Sequence, residues 1–232
     1  MDRALWSRID NGHIFGASAF IVPIMGIYAP LGLAPLIMAA AIACLLIRRV
    51  RDRAWPIPTG FAVGICILAM AWSAASILWS IDPATAHLSK LVRLALLLLA
   101  GLVLLDCARA LDQVQRNRFK KLMVAGMVIA SLLLLVDYLS EGAIQKLVPN
   151  TTHVWGGIAP KFNRGVTNLA LIIWPVAFVL WRWSSVLATL FCVAILILVS
   201  GFTSSAAIVA IIVGLVCCVL TYLLPRIIPA IV

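Results

Sequence analysis

The chain alternates between long apolar runs and short polar segments, a pattern typical of proteins that cross a membrane several times. One crossing of about 30 Å of hydrocarbon takes about 20 helical residues, and about 17 are sometimes enough. The first run, residues 14–47, exceeds one crossing, and its central YAPLGLAP segment predicts a helical hairpin. A single re-entrant or tilted element is the alternative there. Later runs occupy residues 61–80, 91–106, 122–139, 166–181, 186–200 and 206–224.

These runs predict an all-α protein, a polytopic transmembrane helical bundle of about eight spans that forms one domain over residues 1–232. The composition agrees, because a chain that is 64% hydrophobic and 11% charged has too little polar surface for a soluble domain. A net charge of +10 can indicate nucleic-acid binding. Here the basic residues form short blocks between apolar runs, where membrane topology accounts for them better.

Positive charge is distributed unevenly between alternate loops, and this predicts the orientation. Thirteen of the eighteen Lys and Arg residues lie in the N-terminal segment and after the second, fourth, sixth and eighth spans. The positive-inside rule therefore predicts that both termini are cytoplasmic. The alternate loops then face outward and hold the other five cations, which are Lys90, Arg93, Lys146, Lys161 and Arg164.

Neither the cysteines nor the histidines form a recognisable ligand pattern. The six cysteines lie in or at the ends of apolar runs without CxxC spacing, so we interpret them as small residues that face lipid or other helices. No pair of histidines shares a helical face, so neither a metal nor a cofactor is predicted. The histidines lie in different loops, at His13, His87 and His153.

Two acidic residues, Asp106 and Asp137, lie at the ends of predicted spans. An acidic side chain deep in a membrane is a candidate for a proton relay. At the shallow depth of these two positions, solvation in the headgroup region is the favoured interpretation.

Arg164 and Lys161 stand just before the sixth span on the predicted outer side, where topology does not require cations. Arg93 lies about one turn into the fourth span. Cations at span ends commonly reach the headgroups, which is one interpretation of all three. The other is an anion site, since guanidinium grips a diphosphate through two parallel hydrogen bonds. We therefore predict Arg164, Lys161 and Arg93 as residues that bind a lipid diphosphate. Gly165, beside Arg164, is expected to let the headgroup approach the backbone closely.

Three segments, taken in order, resemble the bacterial O-antigen ligase family, which is related to O-antigen polymerases. Residues 72–86 (WSAASILWSIDPATA) are similar to the end of the family's third span and its WS-x-DP loop. Residues 162–177 (FNRGVTNLALIIWPVA) are similar to an arginine–glycine pair that precedes an apolar span containing Trp-Pro. Residues 198–214 (LVSGFTSSAAIVAIIVG) are similar to the boundary at which the shared ligase and polymerase region begins.

The resemblance implies a metal-independent glycosyltransferase of the bacterial inner membrane. Such enzymes move a glycan from undecaprenyl diphosphate to a sugar hydroxyl of lipid A-core on the periplasmic side. Arginines on that side hold the diphosphate, a role that falls to Arg164 here. A histidine in a large, later periplasmic loop activates the acceptor in the mechanism proposed for the family. The implied partners are the lipid-linked glycan, the lipid A-core acceptor and membrane lipids.

The chain departs from the family pattern at two points. Many members have Ser-Arg-Gly-Ala where this chain has Ser204, Ser205, Ala206 and Ala207, so the arginine expected at position 205 is absent. The family also continues beyond the position of Val232 into further spans and the large loop, and the catalytic histidine has no counterpart here. We therefore expect an N-terminal part of such a protein, inactive alone and with its catalytic residues unknown. The alternatives are an O-antigen polymerase, a membrane transporter and a structural membrane subunit.

Overall fold

The computed structural model describes residues 10–52, 60–79, 84–140, 143–144, 159–202 and 204–223, and these contain eight α-helices and no strand. The prediction of an all-α protein is therefore confirmed for the described part of the chain. The helices are α1 (Asn11–Tyr28), α2 (Leu33–Asp52), α3 (Phe61–Ala75), α4 (Ala84–Arg109), α5 (Gln113–Leu139), α6 (Ala159–Trp183), α7 (Ser185–Ser200) and α8 (Ser205–Leu223).

The described parts of the predicted apolar runs are helical, and the long first run divides between α1 and α2. A 3₁₀ turn, Pro30–Gly32, separates these two helices, which confirms the predicted break in that run. The run at residues 61–80 continues from α3 into a second 3₁₀ turn, Ser76–Trp79. Among the described residues, five helical segments are long and apolar enough to cross a membrane, so the chain has the character of a multi-pass membrane protein. They are Asn11–Tyr28, Pro30–Val50, Leu88–Arg109, Gln113–Leu139 and Gly165–Trp183. The apolar helices Phe61–Ala75, Ser185–Ser200 and Ser205–Leu220 are shorter, and the count of about eight spans remains a prediction.

Polar side chains fix where several helices begin. Asp112 precedes α5 and accepts a hydrogen bond from the backbone N of Gln115 at 2.8 Å, while the Gln115 amide oxygen accepts one from the Asp112 backbone N at 3.2 Å. This reciprocal pair is a capping box. Asp10 caps α1 through the backbone N of His13 at 2.9 Å. Ser184 and Ser204 cap α7 and α8 through their hydroxyl groups.

The chain divides into two compact units. The N-terminal unit contains α3, α4 and nearly all of α2, together with the first residues of α1 and α5. In this unit α3 contacts α4 but has no buried residue, and Trp72 on α3 is 70% exposed. A side-chain ion pair between Arg48 and Asp106 joins the C-terminal parts of α2 and α4.

The C-terminal unit contains the rest of α1 and α5 with α6, α7 and α8, and α6 lies at its centre. The buried side chains of α6 pack with those of α5, α7 and α8 in one apolar core. Glycines allow the helices to approach closely. A Cβ atom on Gly126 of α5 would lie 2.5 Å from the carbonyl oxygen of Phe20 in α1, so a larger residue does not fit without movement.

Candidate functional site

The structure places Lys161 and Arg164 inside a helix, whereas the sequence suggested that they end an outer loop. Helix α6 begins at Ala159 and continues without interruption to Trp183. Pro160 does not prevent this start, because a proline in the first helical turn loses no intrahelical hydrogen bond. Lys161 and Arg164 are three residues apart in the sequence, so their backbone positions are about one helical turn apart on α6.

Arg93 belongs to α4 and to the N-terminal unit, where its side chain is exposed. The structure therefore groups Lys161 with Arg164 in the C-terminal unit and leaves Arg93 as part of the other unit. Helix α4 begins at Ala84, and Arg93 consequently lies more than two turns from its N-terminus.

The glycine after Arg164 packs against another helix. We expected Gly165 to let a lipid headgroup approach the backbone. Gly165 is instead buried, and a Cβ atom on it would lie 2.6 Å from the Cα atom of Ile27 in α1. That expectation is wrong, because the end of α1 already fills this space.

A set of polar side chains lies close to this contact, and we call it the α6 polar cluster: Tyr28, Asp137, Thr167, Asn168 and Ser204. The Asn168 side-chain nitrogen donates to the carbonyl oxygen of Gly26 at 3.5 Å. The hydroxyl oxygens of Thr167 and Ser204 are 3.4 Å apart. Ser204 is 3% exposed and also accepts from the backbone N of Ala207 at 3.3 Å, so it both caps α8 and joins α8 to α6.

Asp137 was expected to be solvated among headgroups, and the structure contradicts this. The residue is 0% exposed, although it lies in the last turn of α5. One carboxylate oxygen accepts a hydrogen bond from the backbone N of Ile144 at 2.9 Å, which holds the chain after α5 against the helix end. Tyr28, the last residue of α1, is close enough to interact electrostatically with this carboxylate.

The turn between α7 and α8 covers the same end of α5. The rings of Tyr138 and Phe202 meet edge to face, with their centroids 5.3 Å apart. A Cβ atom on Gly201 would lie 3.5 Å from the Tyr138 hydroxyl oxygen, in ordinary contact. The end of α5 that carries Asp137 is therefore packed against the α7–α8 turn, and Ser204 lies in this turn directly before α8.

The sequence pattern did not predict most of the α6 polar cluster as a site. Thr167 and Asn168 are two adjacent polar residues in an otherwise apolar stretch, and that was the available signal. Tyr28 carries no such signal, since an aromatic residue at a helix end is common at membrane interfaces. Ser204 was named only in the comparison with the family's Ser-Arg-Gly-Ala motif, where the missing arginine at position 205 was the point of interest.

The described part of the chain contains no group of three or more His, Cys, Asp or Glu residues that could hold a metal ion. The α6 polar cluster offers one carboxylate, one carboxamide and three hydroxyl groups. Together with Lys161 and Arg164 on the first turns of α6, this chemistry suits hydrogen bonding to an anionic or hydroxylated ligand better than metal coordination.

No family model, no curated protein and no solved structure was found to match this chain.

Proposed function

We propose that this protein is an O-antigen ligase-like glycosyltransferase that binds a lipid-linked glycan diphosphate at the N-terminal end of α6. One observation carries the proposal: two of the three segments that resemble the family pack against each other beside Lys161 and Arg164. Thr167 in residues 162–177 meets Ser204 in residues 198–214. Further along, the indole ring of Trp174 occupies the space where a side chain at Gly214 would begin.

The helix directions support the proposed path through the membrane. Helices α1 and α5 run parallel, because Gly16 meets Leu122 and Phe20 meets Gly126. Helices α6 and α8 also run parallel to each other, from the Thr167 contact to the Trp174 contact. This is the arrangement expected if each helix crosses once and the chain changes sides at every loop. We therefore propose eight crossings, cytoplasmic termini and an inner-membrane location.

In this proposal Arg164 carries the main charge interaction with the donor. Its guanidinium would form two parallel hydrogen bonds to the diphosphate, and Lys161 would add a second positive charge from the same helix. As the glycosidic bond breaks, negative charge grows on the departing diphosphate. Fixed cations stabilise that charge in the transition state. Arg93 belongs to the other unit, and its predicted role in diphosphate binding rests on the sequence alone.

The proposal is tested by donor binding to the purified chain in detergent. Undecaprenyl diphosphate should bind more tightly than undecaprenyl monophosphate. Arg164→Lys should weaken diphosphate binding by about 10- to 100-fold, because lysine cannot reproduce a two-bond grip and hydrogen bonds to charged groups contribute about 1.5–3 kcal/mol. Arg182→Gln is the matched control, since it removes an arginine from the opposite end of the same helix.

An arginine that merely anchors α6 at the interface requires only charge and a long stem, so lysine would replace it fully. Wild-type binding by Arg164→Lys at normal protein abundance would therefore contradict the donor site. Glycan transfer itself is tested in cells that lack their own ligase, by separating lipopolysaccharide on a gel. Loss of transfer in Arg164→Lys, together with transfer retained in Arg182→Gln, is the expected result.

A further inference from the structure

The N-terminal unit contains a buried pair of thiols that the proposed glycan transfer does not use. Cys44 in α2 and Cys107 in α4 are both 0% exposed, and both are free thiols. Each thiol lies close enough to interact electrostatically with the other. The other four cysteines differ, because each is exposed or only partly buried: Cys66, Cys192, Cys217 and Cys218.

Independent contacts hold the two helices together at this place. Cys44 and Arg48 are four residues apart, so they share one face of α2. Arg48 forms an ion pair with Asp106, the residue directly before Cys107. The Arg48 guanidinium also lies close enough to interact with the Cys107 thiol. The ion pair therefore holds the C-terminal parts of α2 and α4 together next to the two buried thiols.

We propose that Cys44 and Cys107 form a reversible disulfide between α2 and α4 when a peroxide oxidises the protein. A disulfide requires an S–S separation of about 2 Å and Cβ atoms about 3.5–4.5 Å apart. Because the ion pair holds α2 and α4 together beside these buried thiols, a local movement of the two helices and their side chains is enough to reach that geometry. The resulting link would tie the C-terminal part of α2 to that of α4.

The chemical step balances with one peroxide molecule. The Cys107 sulfur attacks a peroxide oxygen, the O–O bond breaks, and one water leaves as a sulfenic acid forms. The Cys44 sulfur then attacks the sulfenic sulfur and displaces hydroxide. The hydroxide takes up the Cys44 thiol proton and leaves as the second water. Two thiols and hydrogen peroxide therefore give one disulfide and two waters. The two sulfurs are oxidised and the peroxide oxygens are reduced.

The resting dithiol fits the proposed orientation. Residues 44–53 and 106–121 lie around the cytoplasmic ends of the second and fourth spans in that orientation, and cytoplasmic thiols are normally kept reduced. The pair would consequently become linked only under oxidative conditions and return to the dithiol when the cell reduces it.

The test counts reversibly oxidised thiols in membranes that contain the full chain. After hydrogen peroxide treatment, the sample is denatured with N-ethylmaleimide, reduced, and labelled with a maleimide–polyethylene glycol that retards the chain on a gel. Because blocking takes place in the denatured chain, burial of a thiol does not hide it. The wild-type chain should gain two labels. Cys107→Ser should gain none, and Cys44→Ser should gain at most one, from a sulfenic acid left on Cys107.

The double variant Cys217→Ser/Cys218→Ser is the matched control and should still gain two labels. Peptide mapping of the oxidised wild-type chain should recover a fragment that links Cys44 to Cys107, and this arm does not depend on how well the serine variants fold. A wild-type chain without labels after oxidation, or labels that map to other cysteines, would refute the proposed disulfide.

Discussion

Asp106 and Asp137 end two consecutive apolar helices, and they are equivalent by sequence but differ in the folded protein. Each follows a long aliphatic run, and each was expected to be solvated at the membrane surface. Asp106 is partly exposed and forms an ion pair with Arg48. Asp137 is 0% exposed and accepts a hydrogen bond from the backbone that follows its own helix.

The difference arises from what surrounds each helix end. In the N-terminal unit, α4 contacts α3, which buries none of its own residues. In the C-terminal unit, the end of α5 is covered by the turn after α7 and by the chain that follows α5. Sequence position sets the depth of an acidic residue in the membrane, while tertiary neighbours decide whether solvent reaches it.

The largest expected effect concerns the side of the membrane on which each helix ends: α4 is predicted to end in the cytoplasm and α5 outside it. A reporter enzyme that is active only outside the cytoplasm should be active when fused after Asn150 and inactive when fused after Arg116. Asn150 lies outside the described residues, between α5 and α6. A second reporter that is active only in the cytoplasm serves as the control and should give the reverse pattern. If the pattern were inverted, Asp137 would lie inside and the donor site would face the wrong compartment.

The second prediction compares how tightly the two units are packed. Gly126→Ala should destabilise the protein by about 1–3 kcal/mol, because the new Cβ would lie 2.5 Å from the Phe20 carbonyl oxygen and backbone must move. Gly64→Ala in α3 is the matched control, since a Cβ there meets nothing within 4 Å. Thermal unfolding in detergent measures both. Equal melting temperatures for the two variants would mean that α1 and α5 are not in close contact.

The third prediction concerns the two acids themselves. Asp137→Ala leaves the backbone N–H of Ile144 without its acceptor and should cost about 1–2 kcal/mol. Asp106→Ala should cost at most about 1 kcal/mol, since a partly exposed ion pair contributes little. Asp137→Asn keeps an acceptor oxygen and should recover part of the loss. An Asp106→Ala variant that is less stable than Asp137→Ala would reverse the comparison.

The helices could be predicted well because apolar periodicity and length are local properties. The described parts of the predicted runs are helical, and the break before α2 follows from Pro30 and Gly32. The predicted sixth span begins at Val166, whereas α6 begins earlier, at Ala159. A proline in the first turn is compatible with a helix, so Pro160 does not mark where α6 begins. The apolar pattern locates the membrane-spanning part of a helix but not the polar turns that precede it.

The candidate site could be predicted only in part. Lys161 and Arg164 were identified because the positive-inside rule does not account for cations on the predicted outer side. The contact between Thr167 and Ser204, which are 37 residues apart, depends on how α6 and α8 pack, and no local pattern specifies it. The same limit applies to Gly165, whose role against Ile27 requires knowledge of which helix lies beside it.

The smallest expected effect extends the comparison to a third acid, Asp10, which caps α1 at its N-terminus. Burial raises the pKa of Asp10, but hydrogen bonds from the His13 backbone and from Gln115, with the nearby imidazole, outweigh it and lower the pKa below its ordinary value. The charged carboxylate therefore stabilises the fold above the unfolded-state pKa of about 3.9, and this contribution disappears as the pH falls through the lower, folded-state pKa.

Asp10→Asn isolates this charge, because asparagine caps a helix about as well as aspartate. The wild-type chain should be slightly more stable than Asp10→Asn near neutral pH, and the difference should shrink as the pH falls toward about 3. Melting temperatures of both chains across that range measure the effect. Repeating the comparison in a His13→Gln background removes the imidazole from both chains. A difference that grows as the pH falls would show that the carboxylate is destabilised by burial at this helix end, as expected for an uncompensated buried acid.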